Sequence, residues 1–204
     1  MTERFLDKAY AARDVSATRD LYDDWAASYD AEVSEHQYAT PGRCADALAK
    51  YSTDITAPVL DFGCGTGLSG LALKLAGFSV IDGVDLSAEM LAQADRKGIY
   101  NKLHQIKAGD QLDHAPGYYA AIAAIGVIGA GAAPISVLHM LMKGLGRGGL
   151  LVLSFNDHAL QDPSNEAGLS EWLDCGAAHL KFKEHGAHLP GINLNSTVYV
   201  VEKA

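Results

Sequence analysis

Short apolar runs alternate with segments of helical periodicity along most of the chain, and this alternation predicts the fold class. Leu68, Leu71, Ala72 and Leu75 recur at i, i+3, i+4 and i+7, which is typical of one buried helix face. The apolar runs predict strands at 59–62, 79–84, 104–108, 119–125, 150–155, 180–183 and 196–202. The helices predicted between them span 68–75, 88–96, 134–145 and 165–173. Repeated strand–helix units predict an α/β fold in which helices cover both faces of a mostly parallel sheet.

The segment before residue 58 has a different pattern, which predicts helices without strands. An apolar and aromatic helix face is formed by Leu21, Tyr22, Trp25, Ala26 and Tyr29. A second helix is predicted to start with Thr40 as its N-cap and Pro41 in its first position. Because no repeat or polar linker interrupts the chain, we expect one domain over 1–204, with a helical cap at 1–52 and an α/β core at 58–204.

Composition and charge narrow the classes of partner. The chain has 204 residues and a net charge of −9, so it has no general attraction for a phosphate backbone, and we expect no nucleic-acid partner. No apolar segment has the length of a membrane span, and the N-terminus carries no apolar signal core. Three cysteines without metal-like pairing predict free thiols and a cytoplasmic location. His179, His185 and His188 have no metal-site spacing, so we expect no metal and place them on the solvated surface.

The strongest local signal is a glycine-rich loop directly after the first predicted strand. Gly63, Gly65 and Gly67 alternate along it, and Asp61 precedes them by two residues. Residues without Cβ allow the backbone to turn sharply and to lie against a ligand. A dinucleotide fingerprint of the form G-x-G-x-x-G requires glycine at Leu68, so the spacing disfavours a pyrophosphate ligand. A carboxylate next to exposed glycine backbone is better suited to a ligand that carries a positive charge instead of a phosphate.

Two further acids follow the next two predicted strands. Asp85 lies 24 residues after Asp61, where a carboxylate can accept hydrogen bonds from both ribose hydroxyls. Asp110 follows the third strand and can accept from an adenine amino group, while the backbone N–H of Gln111 meets a ring nitrogen. Three acids at three successive strand ends are more specific than the glycines alone, and together they predict a nucleoside site.

These segments resemble a known family. Residues 59–67 closely resemble motif I of the class I S-adenosylmethionine-dependent methyltransferases, and the resemblance continues through 83–91, 109–110 and 145–150. Residues 22–30 look like the N-terminal signature of a subgroup that includes the Williams-Beuren region methyltransferase-like proteins. The resemblance implies a Rossmann-like sheet of seven strands, mostly parallel with the last strand antiparallel, and a cofactor across the ends of strands one, two and four. It also implies that Asp61 neighbours the methionine ammonium, Asp85 the ribose and Asp110 the adenine.

The predicted site follows from the motifs and the resemblance together. The residues predicted to bind S-adenosylmethionine are Asp61, Gly63, Cys64, Gly65, Gly67, Asp85, Leu86, Asp110, Gln111, Ile125, Tyr29 and Tyr22. The last two belong to the N-terminal helix, for which two interpretations remain: core packing, or a lid over the cofactor. Cys64 is expected to fill space within the loop instead of acting as a nucleophile. Residues that could face the acceptor are His36, Tyr38 and Gly126.

The predicted reaction is methyl transfer from S-adenosylmethionine to an acceptor that the sequence does not identify. The donor is already activated, so no catalytic residue is required and none is assigned. After the fourth strand, residues 124–131 are apolar, and with the acidic charge they favour a small neutral or cationic acceptor, with a protein side chain as the alternative. Two rival functions are an NAD(P)-dependent oxidoreductase and a non-catalytic module that binds S-adenosylmethionine.

Overall fold

The structure, a computed structural model, describes residues 21–129 and 132–204, and it contains one seven-stranded sheet flanked by helices. The strands are β1 (Val59–Phe62), β2 (Ile81–Asp85), β3 (Lys102–Gln105), β4 (Ala121–Ala124), β5 (Leu150–Asn156), β6 (Ala178–Leu189) and β7 (Leu194–Lys203). The helices are α1 (Tyr29–Glu35), α2 (Thr40–Tyr51), α3 (Leu68–Leu75), α4 (Ala88–Arg96), α5 (Ser136–Gly144), α6 (Asp157–Leu160) and α7 (Pro163–Asp174). A 3₁₀ turn, Pro190–Ile192, joins β6 to β7.

The strand order is β3-β2-β1-β4-β5-β7-β6. Strands β1 to β5 pair in parallel, whereas β7 runs antiparallel to both of its neighbours. This confirms the predicted seven-stranded, mostly parallel sheet with an antiparallel last strand. The order reverses at β1, which pairs with β2 on one side and β4 on the other. In sheets of this kind a ligand binds beyond the carboxyl ends of the strands at that reversal.

The central strands are buried on both faces, which explains their continuous apolar sequences. Every residue of β1 and β4 is buried, as are the first six residues of β5. One apolar cluster fills the face that carries α5 and α7, and a second cluster fills the face that carries α2 and α3. Strands that are buried on both faces have continuous apolar sequences without alternation. The apolar pattern therefore located the central strands.

The C-terminal hairpin is longer than the pattern predicted. The sequence indicated four residues for the sixth strand and seven for the seventh, but β6 spans 12 residues and β7 spans 10. β6 lies at the edge of the sheet, and half of its residues are exposed. An edge strand that pairs on one side keeps polar side chains such as Lys181 and Lys183, so hydrophobicity does not mark its limits.

Two N-terminal predictions need correction. The predicted helix through Tyr29 is interrupted, because residues 21–25 are helical, 26–28 form a turn, and α1 begins at Tyr29. Its residues before 21 lie outside the described part of the chain. The second helix already includes Thr40, its N-cap is Ala39, and the Thr40 side chain makes no capping bond. The Thr40 hydroxyl instead contacts His188 and Ser196 on the hairpin, an alternative partner that the local sequence cannot reveal.

Within the described residues, no helix is both long enough and apolar enough to cross a bilayer.

Candidate functional site

A cavity of about 390 Å³ lies beyond the carboxyl ends of β1, β2 and β4. Its size falls in the range of about 300–1,000 Å³ that is usual for small-molecule sites. Eleven residues predicted from the sequence lie in its wall: Tyr22, Tyr29, Tyr38, Gly63, Gly65, Asp85, Leu86, Asp110, Gln111, Ile125 and Gly126. The fold therefore gathers residues from the first part of the predicted core and from the N-terminal cap around one space.

The glycine loop forms the floor of this cavity because its backbone turns tightly after β1. The amides of Gly63 and Cys64 both donate to the carbonyl oxygen of Val84, at 2.8 and 3.0 Å, which fixes the loop to the end of β2. Gly63 has φ +70°, and a Cβ there would lie 2.6 Å from Cγ2 of Val127. A side chain is excluded at this position both by conformation and by space.

Asp85 is the carboxylate that connects the loop to the cavity. Its Oδ2 accepts from the Gly65 amide at 2.8 Å, and its Oδ1 accepts from the Ser87 amide at 2.9 Å. Burial raises the pKa of Asp85, and the amide donors of Ser87 and Gly65 oppose that rise. Each carboxylate oxygen has a second lone pair, so Asp85 can still accept from two hydroxyls of a ligand.

Asp61 does not lie in the cavity wall, although it is part of the motif. Its side chain is fully buried behind the loop, and Oδ2 accepts from Ser69 Oγ at 2.6 Å and from Tyr100 OH at 2.7 Å. Oδ1 is buried and has no hydrogen-bond partner among the described residues. Burial raises the pKa of Asp61 to about 6, against the two hydroxyl donors, which lower it. Any effect of Asp61 on a ligand must therefore act through the loop or by charge.

Three other predicted site residues also lie outside the wall. Cys64 is 3% exposed, and its Sγ would be 3.0 Å from a Cβ on Gly83, so it fills the space between loop and strand. Gly67 precedes α3 with φ +93° and faces the Tyr100 ring. His36 is buried against Gly191 of the 3₁₀ turn, so it faces the hairpin instead of the cavity.

The segment after β3 forms one end of the cavity. Asp110 Oδ2 accepts from the Lys107 amide at 2.7 Å, which closes a tight turn, and Gln111 follows in the wall. The side chain of Gln105 donates to the carbonyl oxygen of Leu86 at 2.9 Å and ties this segment to the end of β2. The adenine contacts predicted for Asp110 and Gln111 stay predictions, and both residues lie in the cavity wall.

The N-terminal cap covers the opposite end. The rings of Tyr22, Tyr29 and Tyr38 line the cavity, and burial, followed by the nearby Asp85 charge, raises the pKa of Tyr22 to about 12. Trp25 is 1% exposed and stacks on Tyr22 with ring centroids 5.7 Å apart, as expected for a packing residue. One aromatic face thus packs and also lines the cavity, and its role as a lid over the cofactor stays a prediction.

Polar bonds hold the cap on the core. Asp30 accepts from Thr66 Oγ1 at 2.5 Å and from Lys97 Nζ at 2.7 Å, and Lys97 also donates to the carbonyl oxygen of Thr66. Asp23 accepts from Ser87 Oγ. These bonds connect the cap to the glycine loop and to the start and end of α4, so cap position and loop position are coupled.

Several wall residues were not predicted from the sequence. They are Phe62, Ser87, Met90, Ile106, Lys107, Ala108, Gly109, Val127, Ala132, Ala133, Pro134, Ser136, Val137 and Met140. Most are apolar residues whose sequence pattern resembles core packing, and only the tertiary arrangement turns them to the cavity. His188 was expected on the solvated surface, but it is 5% exposed beneath the cap, so that prediction was wrong. Across residues 21–129 and 132–204 there is no cluster of side chains that could hold a metal ion.

The wall fits S-adenosylmethionine better than it fits a pyrophosphate cofactor. Asp85 and Asp110 offer two carboxylates, and Lys107 is the single basic side chain in the wall among the residues that the structure describes. A wall of carboxylates and glycine backbone attracts the positively charged sulfonium and ammonium groups, whereas a pyrophosphate needs groups that bind anions. The fold and site thus define an α/β protein with a pocket for a cationic nucleoside.

Comparison with known proteins specifies this class. A family model described as a methyltransferase domain matches residues 35–195. The chain is 32% identical over 142 residues to methyltransferase-like protein 27 of Homo sapiens, an alignment that covers 67% of this chain and 58% of that protein. The chain therefore belongs to the class I S-adenosylmethionine-dependent methyltransferase family, whose cofactor is S-adenosylmethionine, as predicted. It spans somewhat more than half the length of its human relative.

Solved structures show the same fold. An S-adenosylmethionine-dependent methyltransferase from Thermotoga maritima superposes with a TM-score of 0.66 at 15% identity, over 92% of this chain and 100% of the other. The methyltransferase in a complex with the Haloferax volcanii Trm112 activator gives a TM-score of 0.66 at 18% identity, over 89% and 97% of the chains. At these identities the likeness concerns the fold alone.

Proposed function

We propose that this protein transfers the methyl group of S-adenosylmethionine to a small-molecule acceptor. The observation that carries the proposal is the 390 Å³ cavity, in which the Asp85 carboxylate meets the glycine loop and three tyrosines of the N-terminal cap close one end. A cavity covered by aromatic side chains admits a small molecule or an extended side chain, whereas a folded macromolecule cannot enter. A protein side chain therefore remains the alternative acceptor.

The proposed binding roles follow the wall. Asp85 accepts from the ribose hydroxyls, Asp110 and the Gln111 amide meet the adenine, and Leu86 and Ile125 pack on the nucleoside. The backbone of Gly63 and Gly65 lies against the methionine part. Asp61 acts from behind the loop by its charge. No nucleic acid or membrane partner is part of the proposal, and the cytoplasmic location and the division into cap and core stay predictions.

The chemistry needs little from the side chains. S-adenosylmethionine supplies a methyl group that is already activated by its sulfonium, so transfer is an in-line displacement. The protein's residues hold the two reactants in line and exclude water, which can contribute several kcal/mol to the barrier reduction. Tyr22, Tyr29 and Tyr38 exclude water at the cap end.

Calorimetry with S-adenosylhomocysteine tests the cofactor site. Asp85→Ala removes a charged acceptor of two ligand hydroxyls and should weaken binding by about 100-fold or more, since hydrogen bonds to charged groups contribute roughly 1.5–3 kcal/mol each. Asp95→Asn removes one charge from the exposed face of α4 and is the matched control, expected to bind like the wild type. Equal affinity of all three proteins would contradict the proposed site.

Transfer itself is tested with methyl-labelled S-adenosylmethionine and cell extract separated by ultrafiltration. Label in the small-molecule filtrate supports the proposal. Label retained with protein or with ribonuclease-sensitive material would refute the small-molecule acceptor. Cofactor binding without any labelled product would favour the non-catalytic binding module.

A further inference from the structure

A second, smaller cavity adjoins the cofactor cavity and is here called the inner cavity. It has a volume of about 60 Å³, several times the roughly 10–15 Å³ that one water requires. The two cavities share Tyr22, Tyr29, Tyr38, Gly126 and Ala132 in their walls. The inner cavity is bounded by the ends of β4 and β5 and by the hairpin, so it lies on the opposite side of the cofactor cavity from the Asp110 end.

The wall of the inner cavity is aromatic and carries no formal charge. Its aromatic residues are Tyr22, Trp25, Tyr29 and Tyr38, and its polar side chains are Ser154, Asn156 and His188. Within the part of the chain that the structure describes, no Asp, Glu, Lys or Arg lines this space. Transfer of a charged group into this cavity without a countercharge costs free energy, so the wall favours an uncharged ligand.

His188 reaches the inner cavity from β6, and its ring is fixed from two sides. Its Nδ1 lies 2.8 Å from Thr40 Oγ1, and its ring meets Tyr38 edge-on with centroids 5.1 Å apart. Thr40 Oγ1 is also 2.8 Å from Ser196 Oγ, and Arg43 donates to Ser196 Oγ at 3.1 Å. Thr40 and Ser196 are fully buried. Because Nδ1 is engaged by Thr40, Nε2 is the ring nitrogen available to the cavity.

Hydrogen-bond counting assigns the proton on this ring. Arg43 can only donate, so Ser196 accepts from it and has one partner left, Thr40, for its own hydroxyl proton. Thr40 then accepts from Ser196, and its proton can go only to Nδ1 of His188. Every other arrangement leaves a buried hydroxyl proton without an acceptor, which folded proteins avoid. The network therefore places the ring proton on Nε2, where it can donate into the inner cavity.

The electrostatic surroundings agree with a neutral ring. The pKa of His188 is lowered to about 4, mainly by burial; the Asp157 charge opposes this shift, and the nearby Arg43 and His158 contribute to it. An imidazolium would also need a proton on Nδ1, which faces a hydroxyl already committed as a donor. At neutral pH His188 is thus a fixed donor and not a base.

We propose that the inner cavity receives the head group of the methyl acceptor, and that this head group is uncharged and presents an oxygen to the Nε2–H of His188. This inference rests on the proposed methyltransferase function and names the acceptor class for it. The aromatic walls favour a flat head group, such as an aromatic or conjugated carbonyl compound. A cationic amine is disfavoured, although aromatic rings can hold cations, because the donor proton of His188 points at it. His188 is an acceptor-binding residue, and Thr40 is a positioning residue that acts through it.

The proton assignment can be tested without cofactor or acceptor. Long-range ¹H–¹⁵N correlation spectra distinguish the two neutral tautomers, and His188→Gln identifies the His188 signals among the eight histidines. We expect the Nε2–H form in the wild type, its loss or mixing in Thr40→Val, and its return in Thr40→Ser. A wild-type Nδ1–H form, or a Thr40→Val spectrum identical to the wild type, would overturn the network.

The acceptor class is tested with three probes of similar shape and different charge: benzamide, benzoate and benzylamine. Each is titrated into protein saturated with S-adenosylhomocysteine. We expect benzamide to bind more tightly than either ion, to weaken about fivefold to tenfold in His188→Leu, and to recover in His188→Gln, which keeps an N–H donor. Tighter binding of benzoate or benzylamine, or no binding of benzamide, would overturn the inference. Failure of S-adenosylhomocysteine itself to bind is a separate result that refutes the proposed function.

Discussion

The buried carboxyl group of Asp61 should make stability depend on pH in a direction opposite to that of most carboxylates. Burial raises its pKa from the ordinary 3.8 to about 6. At 1.36 kcal/mol per unit, this corresponds to roughly 3 kcal/mol. Since the folded state holds the proton more tightly than the unfolded state, the contribution is fully present below the unfolded pKa and is lost as pH rises through about 6.

The perturbation that isolates this effect is Asp61→Asn, a neutral side chain of the same shape. Its oxygen can accept from Ser69 and Tyr100 as the carboxylate does. The free energy of unfolding, measured by urea denaturation, should favour the variant over the wild type by roughly 2 kcal/mol more at about pH 7 than at about pH 4, because at pH 4 the carboxyl group of the unfolded state is already partly ionised. A difference between the two proteins that stays constant over this range would refute the reasoning.

The same pair of proteins tests whether Asp61 neighbours the methionine ammonium. A bound cation near the buried carboxylate lowers its pKa, so cofactor binding should release a proton between about pH 4 and pH 6. The affinity of the wild type for S-adenosylhomocysteine should then rise with pH over this window, whereas that of Asp61→Asn should not. If the affinities of the two proteins depend on pH in the same way, Asp61 does not neighbour the methionine ammonium.

Two further predictions concern the glycine loop and the cap. Gly63→Ala forces a left-handed conformation on alanine and brings its Cβ against Val127, so it should cost about 2 kcal/mol or more in unfolding free energy and weaken S-adenosylhomocysteine binding. Lys97→Met removes the ion pair between Lys97, whose side chain is 24% exposed, and Asp30, whose side chain is 42% exposed. Because the pair is partly solvated, the free energy of unfolding should change by less than about 1 kcal/mol. Binding of S-adenosylhomocysteine should nevertheless weaken about twofold to fivefold in calorimetry, because the pair holds the cap on the loop.

Each of these variants has a control. Gly98 has φ +61°, and a Cβ added there would meet no atom within 4 Å, so Gly98→Ala reports the conformational cost without a clash. Equal losses at Gly63 and Gly98 would contradict the close approach of Val127. For the cap, Asp30→Asn should mimic Lys97→Met, and cofactor affinity unchanged in both would show that the cap does not contribute to binding.

The sequence predicted many residues of the cavity wall because chemistry and chain order coincide there. A glycine loop and acids at successive strand ends are short-range features, and parallel strands bring their carboxyl ends to one edge. Gly63, Gly65, Asp85, Asp110 and Gln111 were therefore predicted from local patterns, and all lie in the cavity wall. Asp61 shows the limit of this reasoning, because whether a strand residue faces the cavity or the reverse side depends on packing by α3 and Tyr100.

The inner cavity could not be predicted in the same way. Thr40 is 148 residues from His188 and 156 residues from Ser196 along the chain, yet it bonds to both. Nothing in the local sequence of these three residues distinguishes them from surface or capping residues. The limits of β6 and β7 were missed for a related reason, since an edge strand needs no apolar pattern.

What the sequence determined by itself was the class of fold, the family and several residues of the cavity wall, because those depend on periodicity and on motifs within a few residues. Only the tertiary structure decided which side of the loop Asp61 occupies, which apolar residues line the cavity, and which hydroxyl group the His188 ring contacts. These outcomes are set by contacts between distant segments, where burial and the need to satisfy every buried hydrogen-bonding group select one arrangement among many.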